Sequence, residues 1–167
     1  MSSAHLHLIL NHLPIVGIVV AVAIFGCGRL YHNGQFQQLA LWLLVAFALA
    51  AIPLYLTGES AEHAVSRLPD VSKALIEDHE QAAGVALVVM EVLGGLGLLG
   101  LVLFRRATPV PKAFAVSVVV VALSATGLFA WTGYLGGQIR HSEIRRGVSI
   151  PWPFRAEHRG ELRYDRD

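Results

Sequence analysis

The sequence predicts an all-α fold, an integral membrane up-and-down four-helix bundle, on three observations. The chain of 167 residues is 54% hydrophobic and only 15% charged, with a mean hydropathy of +0.56. A soluble domain of that composition would lack the polar surface to cover itself. Four apolar stretches, residues 13–31, 39–57, 82–104 and 113–136, each reach about the 20 residues that cross a hydrocarbon core of about 30 Å. The connections between the first and second stretches and between the third and fourth are short, and "RRATPVPK" carries two helix-stopping prolines; short connections make sequential spans antiparallel neighbours. Residues 1–137 are therefore read as the bundle and 138–167 as a polar C-terminal tail.

Span one is headed by "HLHLILNHLPI", which gathers His5, His7, Asn11 and His12 where the apolar run begins. No basic residue precedes it and no small-residue cleavage signature follows, so it is read as a spanning helix and not as a signal peptide. Span two leads into the long acidic connection "GESAEHAVSRLPDVSKALIEDHEQ". Beyond its Pro69-Asp70 break, "DVSKALIEDHEQAAGVAL" reads as a helix capped by Asp70 or Ser72 that runs on into span three. The glycines of "GGLGLLG" in span three and "TGYLGG" in span four are expected to let helix backbones approach closely. In the tail, Trp152 and Phe154 beside prolines suit a membrane interface and the alternating charges suit water or a partner surface, so it is a docking segment or an unanchored end.

Several function classes are disfavoured. Cys27 stands alone, which removes an internal disulfide and a cysteine-rich metal site. Phosphate-loop, dinucleotide, serine-hydrolase and HExxH motifs are absent from the sequence. Two methionines are too few for a methionine-lined copper(I) path, and a net charge of +1 gives no sign of nucleic acid. Arg29, Arg105, Arg106 and Lys112 crowd the two short connections, which places that side in the cytoplasm and both termini outside, although Arg140, Arg145 and Arg146 pull the other way.

On this topology the histidines segregate. His5, His7 and His12 head span one, His63 follows span two, His79 heads span three and His141 follows span four; only His32 lies at the other side, and His158 is in the tail. Glu59, Glu62, Glu77, Asp78, Glu80 and Glu143 share the histidine side. In span three, Glu80, Gly84, Leu87 and Glu91 fall on one helix face, which puts Glu91 inside the bilayer, where a carboxylate costs several kcal/mol unless it meets a cavity or partner. In span four, Ser117, Ser124, Gly127, Trp131, Tyr134 and Gln138 form a stripe leading to His141. The bland reading is a set of solvated residues at helix ends, with Glu91 protonated on a neighbouring carbonyl or serine.

The sharper reading is a haem or metal site. Imidazoles from different helices hold haem b, with small residues beside the ring; His12 and His79 are the first ligand candidates, then His141, His63 and His7, with Arg140 facing a propionate and Gly84, Gly133, Gly136 and Gly137 making room. The carboxylates Glu59 and Glu80, with His12, His63, His79 and His141, equally suit non-haem iron, copper, manganese or zinc.

Together, "HLILNHLPI", "YLTGESAEH", "IEDHEQAA" and "TGYLGGQIRHSEI" resemble the uncharacterised bacterial four-span membrane proteins known as domain of unknown function 2231, over roughly residues 5 to 145. After the double glycine the chain has "QIRHSEIR" where many members have Val-Tyr-x-His. The resemblance implies a protein of the bacterial cytoplasmic membrane with His7, His12, His79 and His141 as the positions of interest. The leading expectation is a b-type haem or metal redox protein exchanging electrons between the quinone pool and an outer-face partner, with Glu91, Tyr134 and Ser124 as a polar track for a proton or quinone head-group. The alternatives are a non-haem protein that senses or transfers a metal, and a non-catalytic accessory subunit of a larger membrane complex or a homo-oligomer.

Overall fold

The computed structural model describes residues 7, 9–65, 71–105 and 110–140, and of residues 59, 60, 62–65 and 140 the backbone alone. The described chain is four long helices: α1 (Leu13–Leu30), α2 (Gly34–Val65), α3 (Lys73–Leu103) and α4 (Lys112–Arg140). All four are long and apolar enough to cross a membrane. They pack up-and-down, each on its chain neighbours, and α4 closes on α1 through a thinner seam. This is a multi-pass membrane bundle, and the expected fold class stands. The tail beyond Arg140, with His141 and Glu143, lies outside the described residues, as does His5.

The helices outrun the apolar stretches. Hydropathy locates only the part of a helix that lies in hydrocarbon, whereas caps set its ends. The Asn33 side-chain oxygen accepts from the backbone N–H groups of Gln35 (2.9 Å) and Phe36 (3.2 Å), which starts α2 ahead of its apolar run. His32, just before it, takes a left-handed turn conformation at φ 53°. Ser72 occupies the N-cap of α3, as expected, with extended backbone and no side-chain cap bond. At 31 residues α3 is about 46 Å long, so part of it stands beyond a core of about 30 Å.

Small residues build the interior. Ala40, Leu44, Ala48 and Ala51 form the buried stripe of α2, facing Ile18, Ala21 and Phe25 of α1 and Met90 and Leu93 of α3 in one core. The outside is equally apolar: Val16, Val19, Trp42, Leu49, Val88, Val102 and Leu123 are exposed, the pattern of helices whose solvent is lipid. Gly94 lies directly on Ala48, and a Cβ at Gly97 would stand 3.0 Å from the Leu41 carbonyl. These glycines of "GGLGLLG" close the α2–α3 seam as expected. Gly133 and Gly137 do not; a Cβ at either would meet nothing within 4 Å.

The end opposite the histidines is stapled by Gln37, which is fully buried. Its Nε2 donates to the Gly28 carbonyl at 3.0 Å and its Oε1 accepts from the Val110 N–H at 2.9 Å. Arg29 also donates to the Val110 carbonyl, and Gln38 Nε2 to Phe104 O at 3.3 Å. The α3–α4 connection is thereby tied to the adjoining ends of α1 and α2.

Candidate cofactor site

Before α1 a separate helical turn carries His7, and the Asn11 N–H donates to the His7 carbonyl at 2.9 Å. The half-buried His7 ring reaches the far end of α2, where Nδ1 lies 3.3 Å from Leu54 O and 3.3 Å from Thr57 Oγ1. The Thr57 hydroxyl spends its proton on Leu54 O at 2.7 Å. With the hydroxyl so directed, both neighbours of Nδ1 are acceptors, an arrangement that favours the Nδ1–H tautomer. A Cβ on Gly58 would sit in ordinary contact with the ring, 3.5 Å from Cε1.

His79, on the first turns of α3, does the same to α4. Its Nδ1 donates to the Thr132 carbonyl at 2.9 Å. Gly136 lies one turn further on, where a Cβ would stand 3.0 Å from Cε1 and 3.2 Å from Nδ1; the imidazole occupies the space a side chain would take. The up-and-down order of the helices puts both rings at one end of the bundle. Among the described residues, neither Nε2 has a hydrogen-bond partner.

The two contacts occupy equivalent places in successive hairpins. In each, a histidine heads the first helix and meets the Thr-Gly region of the second: His7 with Thr57, 50 residues on, and His79 with Thr132, 53 residues on. The duplicated dipeptide in "YLTGE" and "WTGYL" is the sequence signal that points to both carbonyl-bearing turns, and the histidine count alone misses it.

Around the rings, Asp78 and Gln138 are buried and both are engaged. Trp131 lies against Tyr134, ring centroids 5.5 Å apart. Among the described residues, three buried polar atoms lack partners: Asn11 Oδ1, Trp131 Nε1 and, deeper in α3, Glu91 Oε1. Gly84 receives the Tyr55 hydroxyl, 3.7 Å from where its Cβ would be.

The other expected residues are less central. His12 and Glu80 are exposed, and His12 stands at the N-cap of α1 without a side-chain bond, with Pro14 in the first turn. Ser117 and Ser124 are exposed and donate to the carbonyls of Ala113 and Val120 in their own helix, so the stripe of α4 turns inward only from Trp131. The side chains of Glu59, His63 and Arg140, and all of His141, lie outside the described residues. Among the described residues, no three His, Cys, Asp or Glu side chains form a metal-holding group.

The fold and site define a multi-pass four-helix membrane protein with two backbone-anchored imidazoles at one end. No family model, curated protein or solved structure matches the chain.

Proposed function

We propose that the protein is a b-type haem redox protein of the bacterial cytoplasmic membrane, with His7 and His79 as its ligand pair and electrons passing between the quinone pool and a partner at the outer face. One observation carries this reading: each ring gives Nδ1–H to a backbone carbonyl and keeps the Nε2 lone pair. A histidine that binds a metal is characteristically held this way, because the second-shell acceptor fixes the tautomer and raises the basicity of the free nitrogen. Two imidazoles from different hairpins suffice for haem, whose porphyrin supplies the remaining iron ligands and whose iron supplies one-electron chemistry when bound. His12, favoured in the sequence, gives way to His7 because it is exposed.

Thr57, Leu54 and Thr132 orient the rings. Glu91, partly buried with Oε1 unpartnered, is the group to exchange a quinone's proton, and Tyr134 beside Trp131 stands between the rings' end and the deeper span. The cationic short connections support cytoplasmic placement of that end, with the histidines outside. The histidine and Thr-Gly-x-x-Gly-Gly motifs support membership in the domain of unknown function 2231 family. A non-haem iron, copper or zinc centre is the second reading; because the described residues alone form no three-ligand group, an ion on His79 would draw further ligands from Glu59, His63 or His141.

The test is an optical spectrum of the detergent-purified protein, oxidised and then dithionite-reduced. A Soret band with sharp reduced α and β bands is expected. A featureless spectrum from protein expressed with ample haem supply, together with bound iron, copper or zinc by elemental analysis, would replace haem with the second reading.

A further inference from the structure

A separate feature lies at the opposite end of the bundle, along the seam where α1 and α4 touch least. There the two helices leave a groove of about 270 Å³. Phe25 and Ala115 are buried beside it, and Val116 and Val120 are exposed along it. At the mouth stand Arg29 and Lys112. Arg29 is pinned across the seam by its bond to the Val110 carbonyl, which spends one of its five donors. Lys112, the first residue of α4, is exposed. Among the described residues neither cation meets a carboxylate. The sequence provides none nearby: all twelve acids lie from Glu59 to Glu91 or beyond residue 142, and residues 1–58 and 92–142 carry no Asp or Glu.

An apolar trough within the span, ending in two unopposed cations at the level of the short connections, matches one amphiphile. We propose that the α1–α4 groove binds an anionic phospholipid, with one acyl chain along Phe25, Val116 and Val120 and the phosphate held by Arg29 and Lys112. Charge complementarity selects the anionic head-group, and the apolar walls require a chain, so a free phosphate lacks half of the contact. The inference is independent of the histidine site.

The test is native mass spectrometry of the full chain in mild detergent, titrated with dioleoyl phosphatidylglycerol or dioleoyl phosphatidylcholine. At about fivefold per cation, the first equivalent of phosphatidylglycerol should bind about twenty-five-fold more tightly than phosphatidylcholine. Lys112→Gln should reduce that preference about fivefold, and Lys112→Arg should restore it. Gly26→Leu should weaken both lipids by filling the groove, and it should leave the fold intact because a Cβ at Gly26 meets nothing within 4 Å. Equal binding of the two lipids, a preference unmoved by Lys112→Gln, or full displacement of the lipid by inorganic phosphate would each overturn the proposal.

Discussion

His79 and Thr132 join α3 to α4 through one hydrogen bond, Nδ1–H to carbonyl oxygen at 2.9 Å, and that bond decides which imidazole nitrogen is left for chemistry. His79→Ala removes the bond and the nitrogen together. On the haem reading, the variant should insert and fold as four helices, since the main core of Ile18, Leu44 and Met90 is untouched, yet retain no haem absorbance after purification. His7→Ala should behave alike, whereas His12→Ala should keep its cofactor because that ring is exposed. Full absorbance in both His7→Ala and His79→Ala would end the ligand assignment.

Gly136 sets the position of the His79 ring. In Gly136→Ala the new methyl would press on Cε1 at 3.0 Å and Nδ1 at 3.2 Å, so either the ring or α4 has to shift, at a cost of about 1–3 kcal/mol. A displaced ring loses its hold on the Thr132 carbonyl. The readout is nitrogen NMR of the ligand-free protein, where the Nδ1–H tautomer of His79 should dominate in the parent and mix with the other tautomer in the variant. An unchanged tautomer balance would show that the glycine is not needed for the orientation.

Glu91→Gln keeps the shape and removes the ability to ionise. Helix insertion and stability should be unaffected or slightly improved, because an amide is easier to hold in hydrocarbon than a carboxylate. If Glu91 takes the proton of a quinol, the rate at which a soluble quinol reduces the protein should fall about a hundredfold or more, with dithionite reduction unchanged. Equal loss of both would point to damage at the cofactor instead.

At the stapled end, Gln37→Leu conserves volume but leaves the Val110 N–H without an acceptor. The Gly28 carbonyl still accepts from the Asn33 N–H at 2.8 Å. The expected destabilisation is therefore that of one orphaned donor, about 1–3 kcal/mol, measured by denaturant unfolding in mixed micelles. A change within experimental error would mean that Val110 finds another partner.

The glycines of α3 divide into packed and open positions, which gives a paired test. Gly97→Leu should disrupt the α2–α3 seam, since its Cβ would already lie 3.0 Å from Leu41 O and 3.2 Å from Val45 Cγ2. Gly95→Leu should be nearly neutral, because nothing lies within 4 Å of its Cβ. Both are read in the same micelle-unfolding experiment, and similar losses in the two would place the effect in helix propensity and not in packing.

Much of this architecture was legible in the residues. Apolar runs and proline-marked turns located the four spans and their antiparallel order, since backbone hydrogen bonding in lipid leaves few other solutions. That His7, His12 and His79 share one end followed from topology alone. Ligand choice did not, because sequence spacing cannot tell a ring that faces a carbonyl of another helix from one that faces outward. His7 and His12 both head the first span, and only packing separates the half-buried one from the exposed one. Phase misled in α4 for a related reason. Ser117 and Ser124 align with Trp131 on a straight helical net, but a short hydroxyl in lipid satisfies itself on its own helix. Gln37 went unremarked because a lone glutamine near a turn carries no pattern, although it ties the ends of α1 and α2 to the α3–α4 connection.

The order of packing along the chain also bears on how the molecule is made. Each helix after the first packs extensively on the one immediately before it in the sequence, so a span leaving the insertion machinery docks on the one that has just preceded it. His7 finds its acceptors by residue 57 and His79 finds its own by residue 132. Each half of the site therefore completes within its own hairpin, and no polar ring waits in the bilayer for a distant span. The thin α1–α4 seam is the last closure, a joint made once both imidazoles have met the carbonyls of their own hairpins.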